Sequence, residues 1–80
     1  MLEKKEKGQW KNSHKDGTAS GISVSVVERR LVRIDVVSPV FGENPGWVFY
    51  FECKDRKDCE DRVNEIDNLI DFVLKIERHA

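Results

Sequence analysis

ISVSVVERRLVRIDVV, residues 22–37, is the stretch whose reading decides the fold. Ile22, Val24 and Val26 alternate with Ser23 and Ser25, and Val32, Ile34 and Val36 then alternate with Leu31, Arg33, Asp35 and Val37. A period of two carried by β-branched residues is the pattern of a half-buried strand. Glu28–Arg30 between the runs predicts a hairpin turn, although it contains no Gly, Asn or Asp. The alternative is one long bent strand.

The next run, GWVFYFEC at residues 46–53, sets Trp47, Phe49 and Phe51 on one face and Val48 and Tyr50 on the other. It is a third strand. SPVFGENPGW, residues 38–47, leads into it, and Pro45 and Gly46 suit the two central positions of a type II turn. Val40, Phe41 and Trp47 crowd around that turn and either pair across it or meet a partner.

After Cys53 the period becomes helical. Asp55 is a suitable N-cap, Asp58 three residues later completes a weak capping box, and the acidic first turns suit the helix dipole. At about 100° per residue, an apolar arc runs from Ile76 through Leu69, Val73, Ile66, Ile70 and Val63 to Leu74. It spans roughly 160°, wider than the roughly 100° stripe that docking on one sheet requires. Phe72 lies just beyond its edge.

Residues 1–21 read differently. They are polar and lysine-rich, and they predict a mobile start with room for a short edge strand around residues 9–13. Asp16-Gly17 suits a tight turn. Trp10 either stands in solvent or folds back as a lid. The fold expected is therefore α+β: a small antiparallel sheet of three strands, with a fourth admitted, packed against one long C-terminal helix (βββα). Residues 22–80 form this single domain, and residues 1–21 precede it.

Composition excludes several classes of function. The 80 residues carry 14 basic and 15 acidic side chains, a net charge of −1, so no basic excess draws the chain to nucleic acid or anionic lipid. No apolar run approaches the roughly 20 residues of a membrane span, and the charged N-terminus lacks the apolar core of a secretory signal. A cytoplasmic location follows as the expectation, with Cys53 and Cys59 as free thiols.

Catalytic and metal chemistry find little to work with. His14 and His79 lie near the chain ends, and Ser13, His14 and Asp16 are neighbours in a turn that cannot converge as a triad. Cys59 falls inside the apolar arc and reads as a buried structural residue. The Cys53–Cys59 spacing matches no zinc knuckle or redox motif, and no Gly-rich phosphate loop is present. We therefore expect no enzyme, no metal and no cofactor.

Interaction surfaces are the better prospect. The helix arc exceeds what a three-stranded sheet covers, and Val27, Leu31, Val37, Val48 and Tyr50 form a second apolar set on the sheet's other face. Glu60, Glu65, Asp67 and Asp71 cluster on the helix face expected to meet solvent. Trp47, Phe49 and Phe51 read as core beneath the helix.

The expected function is a non-enzymatic protein-interaction module, a small adaptor, inhibitor or regulatory protein acting as a homodimer. Its docking residues are Val40, Phe41, Trp47, Leu69, Phe72 and Ile76, with the acidic Glu65, Asp67 and Asp71. The second reading is a nucleic-acid-binding sheet using Arg29, Arg30 and Arg33 beside aromatic residues.

Overall fold

The computed structural model describes residues 2–13, 19–38 and 46–79, the last three of these as backbone alone. The expected turn at Asp16-Gly17, His14, Val40, Phe41 and Pro45 lie outside the described residues.

Alternation becomes strand wherever it was legible. β3 (Ala19–Val27), β4 (Leu31–Val37) and β5 (Trp47–Glu52) pair antiparallel in succession. The chain reverses between β3 and β4 at Glu28–Arg30, where Glu28 supplies the left-handed conformation (φ 55°) that glycine or asparagine more often provides. The helix α1 (Arg56–His79) follows. Its cap is reciprocal: the Asp58 N–H donates to Asp55 Oδ1 at 2.8 Å, and the Lys54 N–H donates to Asp58 Oδ2 at 3.0 Å. That backbone hydrogen bond, aided by the nearby Arg62 charge, holds the Asp58 carboxyl below its ordinary pKa.

The sheet has five strands, more than the three or four expected. The additional pair is β1 (Glu3–Glu6) and β2 (Gln9–Ser13), and the order is a simple meander, β1-β2-β3-β4-β5. Their sequences, EKKE and QWKNS, contain one large apolar side chain between them, which is why no period of two announced them. That side chain is Trp10, and it is only 2% exposed. It is neither in solvent nor a lid: it is the largest residue of the core, beside Val24, Val32, Cys53, Cys59, Val63 and Leu74.

Register shows how the helix lies. Lys4, Trp10, Ile22, Val36 and Trp47 form one row across the sheet, Val24, Ile34 and Phe49 the next, and Val26, Val32 and Phe51 a third. α1 starts beside the third row and packs chiefly on β3 and then β4. By Asp67 and Asp71 it has reached the β1–β2 hairpin. It crosses the sheet diagonally.

Gly8 is the joint of this arrangement. Lys7 and Gly8 turn the β1–β2 hairpin, with Gly8 at φ 76°, and a Cβ there would stand 2.5 Å from the Val24 carbonyl oxygen. Its carbonyl accepts from the Val24 N–H at 2.8 Å, and its N–H donates to Asp67 Oδ1 at 2.7 Å. Lys4 Nζ reaches Asp67 Oδ2 at 2.8 Å and Asp71 Oδ2 at 2.5 Å, and Trp10 Nε1 donates to Asp71 Oδ1 at 3.0 Å. These carboxylates raise the Lys4 ammonium pKa above its usual value, chiefly through the hydrogen bond to Asp67. Two helix carboxylates thus anchor a hairpin of low intrinsic apolarity.

Two substitutions at Asp67 separate its roles. Asp67→Ala strands the buried Gly8 N–H, which costs about 1–3 kcal/mol, a large share of the roughly 3–5 kcal/mol available to so small a core. Asp67→Asn keeps an acceptor for Gly8 and loses only the charge facing Lys4, so its denaturation midpoint should lie between those of Asp67→Ala and wild type. Equal midpoints for the two variants in urea unfolding would contradict the Gly8 role.

Candidate interaction surface

On α1, successive residues turn by about 100°, so the flank opposite Asp67 and Asp71 faces away from β1–β2 and toward β4 and β5. Ile66 and Ile70 on that side still pack against the core. Beyond them Leu69, Phe72, Val73 and Ile76 rise into solvent, Leu69 and Phe72 at 60% exposure and Val73 and Ile76 at 52% and 53%. The breadth of the apolar arc foretold this surplus.

The helix-side face of the sheet carries exposed apolar side chains of its own. The diagonal path of α1 leaves the β5 end of the first two rows uncovered, so Trp47 is 53% and Phe49 50% exposed. Their rings lie near parallel with centroids 6.2 Å apart. The expectation that all three aromatic residues of β5's helix-side face are core holds for Phe51, which packs against the buried cluster, and fails for Trp47 and Phe49. The reason is the helix direction, which the strand pattern does not encode. Six apolar side chains, each half-exposed or more, amount to on the order of 600 Å² when a whole aromatic residue counts for about 150–250 Å².

The acidic set divides. Asp67 is 6% exposed and engaged with Gly8 and Lys4, so it is a buried anchor and not a docking residue. Asp71 is likewise held by Lys4 and Trp10. Glu65 stays on the exposed face, where it pairs with Arg62 at 2.9 Å. At about 100° per residue Asp67 falls beside Val63 and Leu74 and Glu65 on the opposite side, so the wheel carried a signal for Asp67, while the hairpin that buries it comes from far away in the chain.

The arginines expected to read nucleic acid are largely neutralised in place. Arg30 pairs with Glu52 at 2.5 Å. Arg33 donates from Nε and a terminal nitrogen to Asp35 at 2.9–3.1 Å while lying over the Tyr50 ring, 5.7 Å from its centroid. The Asp35 hydrogen bonds hold the Arg33 guanidinium above its already high pKa. Arg29 is exposed at the β3–β4 turn. On this helix-free face a shallow depression of about 310 Å³ lies over Gly21, rimmed by Lys5, Lys11, Asp35 and Val37. It is open to solvent and lined mainly by apolar atoms, and it converges no catalytic groups.

Cys53 and Cys59 are both buried and unbridged. Burial, with a hydrogen bond to Cys59 adding to it, pushes the Cys53 thiol up to about 11, so it carries no nucleophilic thiolate near neutrality. Among the described residues, no three His, Cys, Asp or Glu side chains gather as a metal site, and no helix is long and apolar enough to cross a membrane. Comparison of the chain with protein families, with curated proteins and with solved structures finds no match.

The raised thiol has a pH consequence. Its folded-state pKa exceeds the ordinary 9.0, so its contribution to stability is complete below pH 9 and is lost as pH climbs through about 11. The raised Lys4 ammonium acts in the same alkaline direction. Wild type should therefore lose more thermal stability between pH 9 and 11 than Cys53→Ala does. In native protein at pH 8 both cysteines should resist alkylation until denaturant is added, and rapid native labelling would contradict their burial.

Proposed function

We propose that this chain is a non-enzymatic protein-interaction module whose docking surface is the exposed flank of α1, Leu69, Phe72, Val73 and Ile76, joined to Trp47 and Phe49 of β5. One observation carries this reading: Leu69, Phe72, Val73 and Ile76 of α1 and Trp47 and Phe49 of β5 each stand half-exposed or more, on the order of 600 Å² of apolar surface in total. The described core holds seven buried hydrophobic residues. Among the described residues, nine large hydrophobic side chains are exposed, the six named here and Val37, Val48 and Tyr50 on the other face.

The adaptor, inhibitor and regulator roles all use such a surface, because each acts by occupying a partner. The rim is suited to it as well. Glu65 with Arg62, and Lys75 beyond them, give a charged border around an apolar centre, the arrangement of a specific interface. The pairing of Arg30 and Arg33 within the sheet weighs against the nucleic-acid reading, since phosphate contact would have to displace carboxylates already in place.

Phe72→Asp tests the proposal. Phe72 projects into solvent, so the substitution should leave the helical circular dichroism and unfolding midpoint within about 0.5 kcal/mol of wild type. It should also abolish association, scored by pull-down from a native-source lysate treated with nuclease. Unfolding of the variant, or association that vanishes with nuclease alone, would overturn the reading.

A further inference from the structure

We propose that the partner at this surface is a second copy of the chain, joined edge to edge: β5 pairs antiparallel with β5 of the other copy about a two-fold axis at Phe49. Two five-stranded sheets then become one. This deepens the interaction reading by naming the occupant, and it rests on that reading.

The two edges of the sheet differ sharply. β1, EKKE, consists of charged residues, carries a register irregularity between Lys4 and Glu6, and has Lys4 tied to α1. Charges and bulges are the devices by which an edge strand refuses a new neighbour. β5, WVFYFE, has neither over its first five residues, and its only charge, Glu52, is already paired to Arg30. Among the described residues β5 has β4 as its one neighbour, so alternate backbone N–H and C=O groups along its outer side face away from the sheet.

Self-pairing fits this edge better than pairing with a different strand. With Phe49 opposite Phe49 of the second copy, Val48 lies opposite Tyr50 and Trp47 opposite Phe51. Aromatic and β-branched cross-strand pairs are the favourable ones, and no like charges meet. This register keeps both helices on one side of the joined sheet. The exposed flank of each α1, already directed toward β5, then borders the junction. The apolar surface on the order of 600 Å², together with the edge backbone, approaches the roughly 800 Å² per partner of a stable interface. A two-fold pairing also closes on itself. Pairing β5 with β1 of the next copy would instead propagate, and the charged β1 edge opposes that.

Sedimentation equilibrium of the purified chain, from micromolar to several hundred micromolar, is the test. Wild type should reach the mass of two chains and stop there. Phe49→Lys and Phe49→Glu each place like charges across the axis and should raise the dissociation constant about 100-fold. An equimolar mixture of the two should restore the dimer, because opposite charges then meet. Hydrogen exchange on wild type guards against a variant that does not fold: β5 amides should become protected as concentration rises through the dimer range.

Four results would overturn the proposal. These are a dimer that Phe49→Lys leaves intact, a mixture that does not recover, growth beyond two chains, or β5 amides that stay unprotected in the dimer. A monomer at every concentration overturns it too, and the lysate experiment then separates the two readings. Capture of another protein that Phe72→Asp abolishes would leave the interaction module standing without self-pairing. Absence of any such capture would remove both.

Discussion

The fold depends on one contact between distant parts of the chain, the meeting of Gly8 and Trp10 with Asp67 and Asp71. β1 and β2 have almost no apolar side chains with which to hold themselves on the sheet. They are held by a buried indole, a backbone amide and an ammonium, the last two bonded to a buried carboxylate. Gly8 permits it, because any side chain there would collide with the Val24 carbonyl that passes 2.5 Å from the Cβ position. Hydrophobic burial and hydrogen bonding therefore act at the same point. Removing the indole would take from Asp71 Oδ1 the donor that Trp10 supplies, and removing the carboxylates would leave the indole N–H and the Gly8 N–H unsatisfied.

The same contact sets the direction of the helix and so creates the exposed surface. A helix drawn toward β1–β2 at Asp67 and Asp71 cannot also cover the opposite corner of the sheet. Trp47 and Phe49 are left half-exposed for that reason, and so is the Leu69–Ile76 flank. A helix lying parallel to β4 and β5 would have covered both and left Trp10 in water. The choice between these arrangements is energetic: Trp10 is the largest apolar residue in the chain's first 21 positions, and the carboxylates add specific geometry that Ile66 and Ile70 cannot.

The arginines show a related economy on the other face. Arg33 has its charge answered by Asp35 two residues away on the same strand and its plane laid over Tyr50. Arg30 and Glu52 join the end of the β3–β4 turn to the end of β5, beside the hydrogen bond from the Cys53 N–H to the Arg30 carbonyl at 2.8 Å. Exposed pairs of this kind add little stability, about 0–1 kcal/mol each. Their effect is on recognition, since a charge that is already paired attracts less.

Residues 22–37, 46–53 and 55–76 determined their own structure, because their apolar periods of 2 and 3.6 can be satisfied only by strand and helix. The Asp55–Asp58 cap and the width of the apolar arc, wide enough to foretell an exposed flank, were legible for the same reason. What the tertiary structure alone decided was everything that depends on the N-terminal segment. The local sequence of EKKEKGQWKNS carries one apolar residue and no period, so nothing in it marks two strands, a buried Trp10 or a glycine needed for its left-handed turn. On a helical wheel Asp67 falls beside the core residues Val63 and Leu74 and Glu65 on the opposite side, but only the arrival of Lys4 and Gly8 from about sixty residues away makes Asp67 a buried anchor. Periodicity records which side of an element prefers oil to water. It does not record the angle at which two elements cross, and that angle is what exposes Trp47 and Phe49.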